Sequence, residues 1–145
     1  MGDVKIKIGS YAEIGTDAQT VRDEVFVVEQ GISLDIERDA YDSISTHAVL
    51  YKNNAPVSAG RIVNRDNGHY IGRVSTLKEH RKNGYGGLIV SALVEWAFSN
   101  DIPEVHLHSQ KHAENFYKGL GFRSYGEVFI EAGIEHISMV KNLFS

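Results

Sequence analysis

The chain has 145 residues, 42% of them apolar, with no cysteine, two prolines and 14 glycines. That length predicts one domain, 1–145, burying roughly 68–70% of the surface its unfolded chain exposes, and the lack of cysteine excludes disulfides, thiolate metal sites and a cysteine nucleophile. Fifteen Lys and Arg against 19 Asp and Glu give −4, the wrong sign for a general nucleic-acid binder, and no apolar run is long enough to span a membrane.

The start, M-G-D-V-K-I-K-I, has no apolar signal core, so a cytoplasmic location is the expectation. Val4, Ile6 and Ile8 alternate with Lys5 and Lys7, which predicts a half-buried first strand. Thr16 or Asp17 is the expected cap of a helix carrying Val21, Val25 and Val28. Residues 31–45, with Asp35, Glu37, Asp39 and Asp42, read as an acidic, solvated, mobile loop whose carboxylates attract a cationic amine. Strands are expected at 46–52, 57–64 and 69–76, the first two joined by the turn N-N-A-P.

The period then changes. Leu88, Ile89, Ala92, Leu93, Trp96 and Ala97 make one face of a helix that stops before Pro103. A strand at 104–109, a short helix at 112–119 and a hairpin of 122–131 with 134–142 complete the chain. Strands in series followed by strands alternating with helices define an α+β class, a mixed central sheet of about six to seven strands flanked by helices.

The segment V-S-T-L-K-E-H-R-K-N-G-Y-G-G, 74–87, is a strand, a glycine loop and a helix start. Amides left open at a helix N-terminus favour a phosphate. The nucleotide motifs fail on spacing: no Gly-Lys dipeptide is present for a Walker loop, and Ile89 occupies the third glycine position of the dinucleotide fingerprint. His106, His108 and His112 are tempting as metal ligands, but three well-placed ligands are not evident. No metal is expected.

A third pattern fits. Arg81-Lys82-Asn83-Gly84-Tyr85-Gly86 matches [RQ]-x-x-G-x-[GA], the signature of the GNAT superfamily of N-acetyltransferases. Gln110, Ala113, Phe116, Tyr117, Gly121 and Phe122 resemble that family's second block, with Gln110 where Asn is usual. The element order agrees from residue 4 to 143. R-x-x-V-F-V-x-E-Q at 22–30 and E-x-G-I-x-H at 131–136 further resemble a bacterial subgroup of small GNAT proteins.

The resemblance implies the GNAT fold and transfer of acetyl from acetyl-CoA to a small-molecule or peptide amine in a ternary complex, with acetyl-CoA as cosubstrate. It places the coenzyme between two parting strands, 70–76 and 104–109. The pyrophosphate would lie on the amides of Arg81, Lys82, Asn83, Gly84, Tyr85, Gly86 and Gly87. Val74, Ser75 and Thr76 would serve the acyl and pantetheine groups, helped by Gln110 or Asn115. Tyr117 would be the acid that protonates the leaving thiolate; as an alternative it is a core tyrosine. For the base, Glu29 is preferred, because the first helix walls the acceptor site in that family, with His108, His47 and Glu79 as other candidates. Glu29 read without the family is a carboxylate in a salt bridge. A homodimer through the C-terminal hairpin is a family habit. The rival from another class is a degenerate acyl-CoA sensor without turnover.

Overall fold

The computed structural model describes residues 3–143; residues 1, 2, 144 and 145 of the expected domain lie outside the described residues. Seven strands form one sheet: β1 (Val4–Ser10), β2 (Thr46–Lys52), β3 (Ala55–Arg65), β4 (Gly68–Thr76), β5 (Glu104–Gln110), β6 (Arg123–Glu131) and β7 (Ile134–Asn142). Their spatial order is β1-β2-β3-β4-β5-β7-β6. All neighbours are antiparallel except β4 and β5. Among the described residues the α-helices are α1 (Tyr11–Arg22), α2 (Leu34–Glu37), α3 (Tyr85–Ser99) and α4 (Glu114–Gly119). This is the α+β mixed sheet expected. No described helix is long and apolar enough to cross a membrane.

The alternation in β2 sorts the core. Ala48 and Leu50 pack into the larger apolar cluster with Ile89, Val90, Leu93 and Ala97 of α3. Val49 and Tyr51 turn to the opposite face and join Ile14, Ala18 and Val21 of α1. The sheet is therefore clad by α3 on one face and α1 on the other, as period-2 side chains require. β1 lies at the sheet edge, so only Ile6 reaches the core, while Val4 and Ile8 stay exposed.

Three local readings are corrected. The cap of α1 is Ser10, not Thr16 or Asp17. Ser10 Oγ accepts from the Glu13 amide at 3.3 Å and Glu13 returns a bond to the Ser10 amide at 2.8 Å. This capping box starts the helix before Thr16 is reached. Val21 and Val25 are buried, but residues 23–29 widen into a π-helical turn, with the Gln30 amide bonded to the Val25 carbonyl. The widening rotates Val28 outward, to 68% exposure. In α3 the buried face runs through Ile89, Val90, Leu93, Val94 and Ala97, leaving Leu88 exposed.

The feature that positions the site is a bulge in β4. Arg61 pairs with Gly72 and Ala59 with Ser75, so Gly60 faces two residues, Arg73 and Val74. Arg73 takes up the extra residue at φ 53°. A bulge bends its strand and increases its twist. Accordingly β4 and β5 share only two parallel pairs, Tyr70–His106 and Ile71–Leu107, and part beyond them. Opposite the bulge, a Cβ on Gly60 would lie 2.7 Å from Ile89 Cγ2. Gly60→Ala is therefore expected to lower the unfolding free energy by about 1–3 kcal/mol through overpacking, read as a reduced midpoint in urea denaturation.

Candidate active site

The parted strands open a cleft of about 440 Å³. Phe26, Ile32 and Ile36 line it from the α1 side, and His108 and Gln110 from β5. Tyr117, which packs with the α3-side cluster, also lines it. The opening thus passes through the sheet. Past Ile71 the β4 edge that faces β5 has no strand partner, leaving backbone groups of Gly72–Thr76 available along the gap.

The glycine loop begins α3. Gly84 caps the helix at φ 77°, a conformation that favours glycine, and supplies no side-chain hydrogen bond. The first amides of α3 are left open, and the helix dipole adds positive potential there. Lys82 and Asn83 are exposed, and Asn83 Nδ2 donates to the His80 carbonyl at 3.0 Å. The Tyr85 ring is buried in the core, so its contribution to a ligand is its backbone. A glycine helix start of this kind suits a pyrophosphate, and the open β4 edge suits an amide-bearing arm.

The remaining expected residues divide between the cleft and its surroundings. Val74 lines the cleft. Ser75 is buried; its carbonyl accepts from Ser58 Oγ at 2.8 Å, and the Ser58 and Thr76 hydroxyls lie 2.8 Å apart. Gln110 ends β5 at the cleft wall, whereas Asn115 is exposed on α4 and outside the lining. Tyr117 sits edge-on to Phe116 and Phe122. Burial pushes its phenol pKa up, so it stays protonated.

Glu29, preferred as the base, is not in the cleft lining. Its carboxylate meets Arg81, whose Nη1 lies 2.7 Å from Oε2, and Arg81 Nε donates to the Thr76 carbonyl at 3.0 Å. The Arg81 guanidinium holds Glu29 below the usual carboxylate range. That is the salt-bridge alternative, and it ties the end of the first helical segment to the glycine loop. His47 is also removed from the cleft: it is buried, its Nε2–H donates to the Asp42 carbonyl at 2.9 Å, and Nδ1 has no hydrogen-bond partner. His106 bonds the Tyr125 hydroxyl at 2.9 Å, and His112 is exposed. Among the described residues, no three His, Cys, Asp or Glu side chains gather as metal ligands would.

The acidic stretch 31–45 corrects an expectation. Asp35 is exposed as expected, but Glu37, Asp39 and Asp42 are not free, solvated carboxylates. Arg22, 1% exposed, bonds Glu37 and Asp42 at 2.7 Å each. Arg61 bonds Asp39 at 2.7 Å and Asp42 at 2.8 Å. Arg73, carried by the bulge, donates to the Glu37 carbonyl at 3.0 Å and to Asp39 at 3.2 Å. Buried carboxylates demand such partners, and here the partners anchor α2 beside the cleft. Sequence reasoning missed Arg22, Arg61 and Arg73 as site-building residues, although a basic residue directly after glycine in two neighbouring strands, G-R at 60–61 and at 72–73, was the available signal.

Comparison with known proteins agrees with this geometry. A family model described as an acetyltransferase (GNAT) domain matches residues 12–143, and the chain belongs to the GNAT acetyltransferases. It is 38% identical over 140 residues to YjcF, an uncharacterised N-acetyltransferase of Bacillus subtilis, covering 96% of this chain and 100% of that one. The crystal structure of an N-acetyltransferase candidate from Lactobacillus plantarum superposes with a TM-score of 0.87 at 31% identity, over 97% of this chain and 98% of that one. Escherichia coli ElaA superposes with a TM-score of 0.84 at 27% identity, over 97% and 100%. The protein is an acyl-CoA-dependent N-acyltransferase.

The ion network sets an acid limit on stability. Hydrogen bonding to Arg61 lowers Asp39 to about 2. Burial pushes Asp42 up, but the Arg22 and Arg61 guanidiniums more than offset this and leave it lowered. Burial also lowers His47, whose protonation would strand an unpaired donor on Nδ1. A folded pKa below the unfolded one gives stabilisation that is complete above the unfolded value and lost as pH falls through the folded one. Unfolding free energy should therefore decline first below pH 6.5, where unfolded His47 protonates. It should decline again from 3.8 towards about 2 as Asp39 titrates. Urea midpoints measured from pH 8 to 3 check this; in a variant lacking the His47 imidazole, the first decline should shrink.

Proposed function

We propose that this chain transfers an acetyl group from acetyl-CoA to a primary amine on a small molecule or peptide, by direct attack within a ternary complex. The observation that carries the reading is the parting of β4 from β5 after Ile71 and Leu107, with an uncapped helix start at 84–87 and the Tyr117 phenol at the cleft wall. The residues fit the coenzyme. Amides of Gly84–Gly87 hold the pyrophosphate, and Arg81 closes over the loop from its anchor on the Thr76 carbonyl. The free β4 edge pairs with the pantetheine arm as an extra strand would, and Gln110 meets that arm from β5.

Acetyl-CoA supplies an activated acyl carbonyl. The chain supplies positioning, charge stabilisation and protons. A backbone N–H of the bulged segment, at Val74, donates to the acyl oxygen as negative charge develops there. Tyr117, kept protonated by burial, donates its proton to the departing thiolate. Phenol and thiol ordinarily titrate near 10 and about 8.5, and burial raises the phenol further, so the transfer runs uphill by about 2 kcal/mol or more and has to be coupled to collapse of the tetrahedral intermediate. The chain has no cysteine to carry an acyl group, which favours direct attack by the amine.

Tyr117→Phe tests the assignment. Acetyl-CoA affinity by calorimetry should hold within about twofold, while thiol release with an active amine should fall about 100-fold or more. Unchanged turnover removes Tyr117 as the acid. Coenzyme binding by the unaltered protein, with no thiol release across primary amines, returns the sensor reading. No binding at all removes the acetyl-CoA assignment.

A further inference from the structure

The tip of the last hairpin carries chemistry that the proposed reaction leaves unused. β6 and β7 are joined by a two-residue turn, Ala132 and Gly133, at φ 53° and 77°. Two left-handed residues in a two-residue hairpin make a tight turn that matches strand twist. The turn fixes Glu131 opposite Ile134, and Glu131 and Ala132 both line the cleft. His108, on the adjacent wall from β5, places Nδ1 3.3 Å from Glu131 Oε1. Behind them, His136 places Nε2 3.7 Å from Glu131 Oε2.

The hydrogen positions follow from the partners. His136 Nδ1 lies 2.8 Å from the Ile134 carbonyl, which only accepts, so Nδ1 carries the hydrogen. A carboxylate likewise only accepts, so His108 Nδ1 donates to Glu131. The neutral His108 ring then bears its lone pair on Nε2, which has no hydrogen-bond partner among the described residues. The ring is held edge-on between Tyr70 and Phe129, with centroids at 5.4 and 5.0 Å. His136 stacks on the Phe129 ring at 5.8 Å. A carboxylate on one imidazole nitrogen and an open lone pair on the other is the arrangement of an oriented general base.

We infer that His108 is the base that takes the proton from the incoming ammonium, with Glu131 as its positioning residue. This rests on the amine-acetylation reading. It also gives a use to the start of the hairpin segment E-x-G-I-x-H, in which the turn aims Glu131 and Glu131 orients the base. The other base candidates lie elsewhere. Glu29 is bonded to Arg81, His47 is buried under the ion network, and Glu79 is outside the cleft lining.

In the reaction the ammonium gives one proton to His108 Nε2, and the neutral amine nitrogen forms a bond to the acyl carbon. The C–S bond breaks, and the thiolate takes the Tyr117 proton. The nitrogen loses its second proton, which restores the Tyr117 phenol through water. His108 releases its proton to solvent, leaving an amide, free CoA thiol and one net proton. The groups facing His108 are Tyr70 from β4 and Glu131 from β6, with His136 of β7 beyond Glu131; His106 on its own strand is bonded to Tyr125 and near Glu104.

The test uses two amines of matched shape. Benzylamine is an ammonium ion at pH 7 and needs a base; O-benzylhydroxylamine is already neutral there and does not. The apolar wall of Phe26, Ile32 and Ile36 suits both rings. His108→Asn retains a donor toward Glu131 and lacks the basic nitrogen. It should lower kcat/KM for benzylamine about 100-fold, in the range of lost acid–base catalysis. The ratio of the O-benzylhydroxylamine rate to the benzylamine rate should rise at least about tenfold, and the acid limb of the benzylamine pH profile should flatten. Glu131→Gln should raise the same ratio to a smaller extent. Equal losses for both amines, with acetyl-CoA affinity intact, overturn the base assignment and leave the acetylation reading standing. Unchanged benzylamine turnover overturns it too. If the unaltered protein releases no thiol with either amine, nor with any primary amine, the acetylation reading fails and this inference falls with it.

Discussion

One extra residue in β4 governs the site. An antiparallel ladder that ran unbroken past Gly60 would have no bend to carry β4 away from β5. The bulge at Arg73 and Val74 supplies that bend immediately after the two parallel pairs end. A non-glycine residue at φ 53° costs about 1–2 kcal/mol, and the Arg73 guanidinium offsets this through its bonds to Glu37 and Asp39. Gly60 completes the arrangement, because only a residue without Cβ lets Ile89 of α3 approach the strand opposite the bulge. Strand, helix and acidic loop thus meet at one irregularity, and the cleft opens beside it.

Two kinds of polar group meet at that cleft. Arg22, Arg61 and Arg73 are committed to Glu37, Asp39 and Asp42, which makes them structural charges that hold α2 in place. Glu37, Arg61 and Arg73 line the opening too, but Tyr117, His108 and Glu131, which share that lining, stand outside the network. The proposed proton chemistry and the structural ion pairing therefore do not compete for the same side chains. The Arg81–Glu29 pair stands between the two classes: it joins the first helical segment to the glycine loop, so the phosphate proposed to lie there would contend with a carboxylate already on Arg81.

Much of this was legible in the sequence because it depends on local pattern. The seven strands followed from alternation and turn residues, and the glycine loop from spacing alone. The misread details depend on contacts between segments distant in sequence. Glu37 and Asp42 look like surface acids until Arg22 and Arg61 fold over them. Glu29 sits 52 residues from Arg81, and no periodicity reports that pairing. The π-helical turn also defeated a 3.6-residue reading, and Val28 moved outward with it. The hairpin motif at 131–136 was visible as residues, but the role proposed for Glu131 emerges only when β5 brings His108 beside it.

Amide hydrogen exchange with and without acetyl-CoA tests the coenzyme site most directly. The coenzyme should protect two short stretches, the β4 edge at 72–76 and the helix start at 84–87, with little change in β1 or β2. Protection spread evenly over the sheet, or confined to the 31–45 segment, would contradict the claim that the parted strands and the open helix start form the coenzyme site.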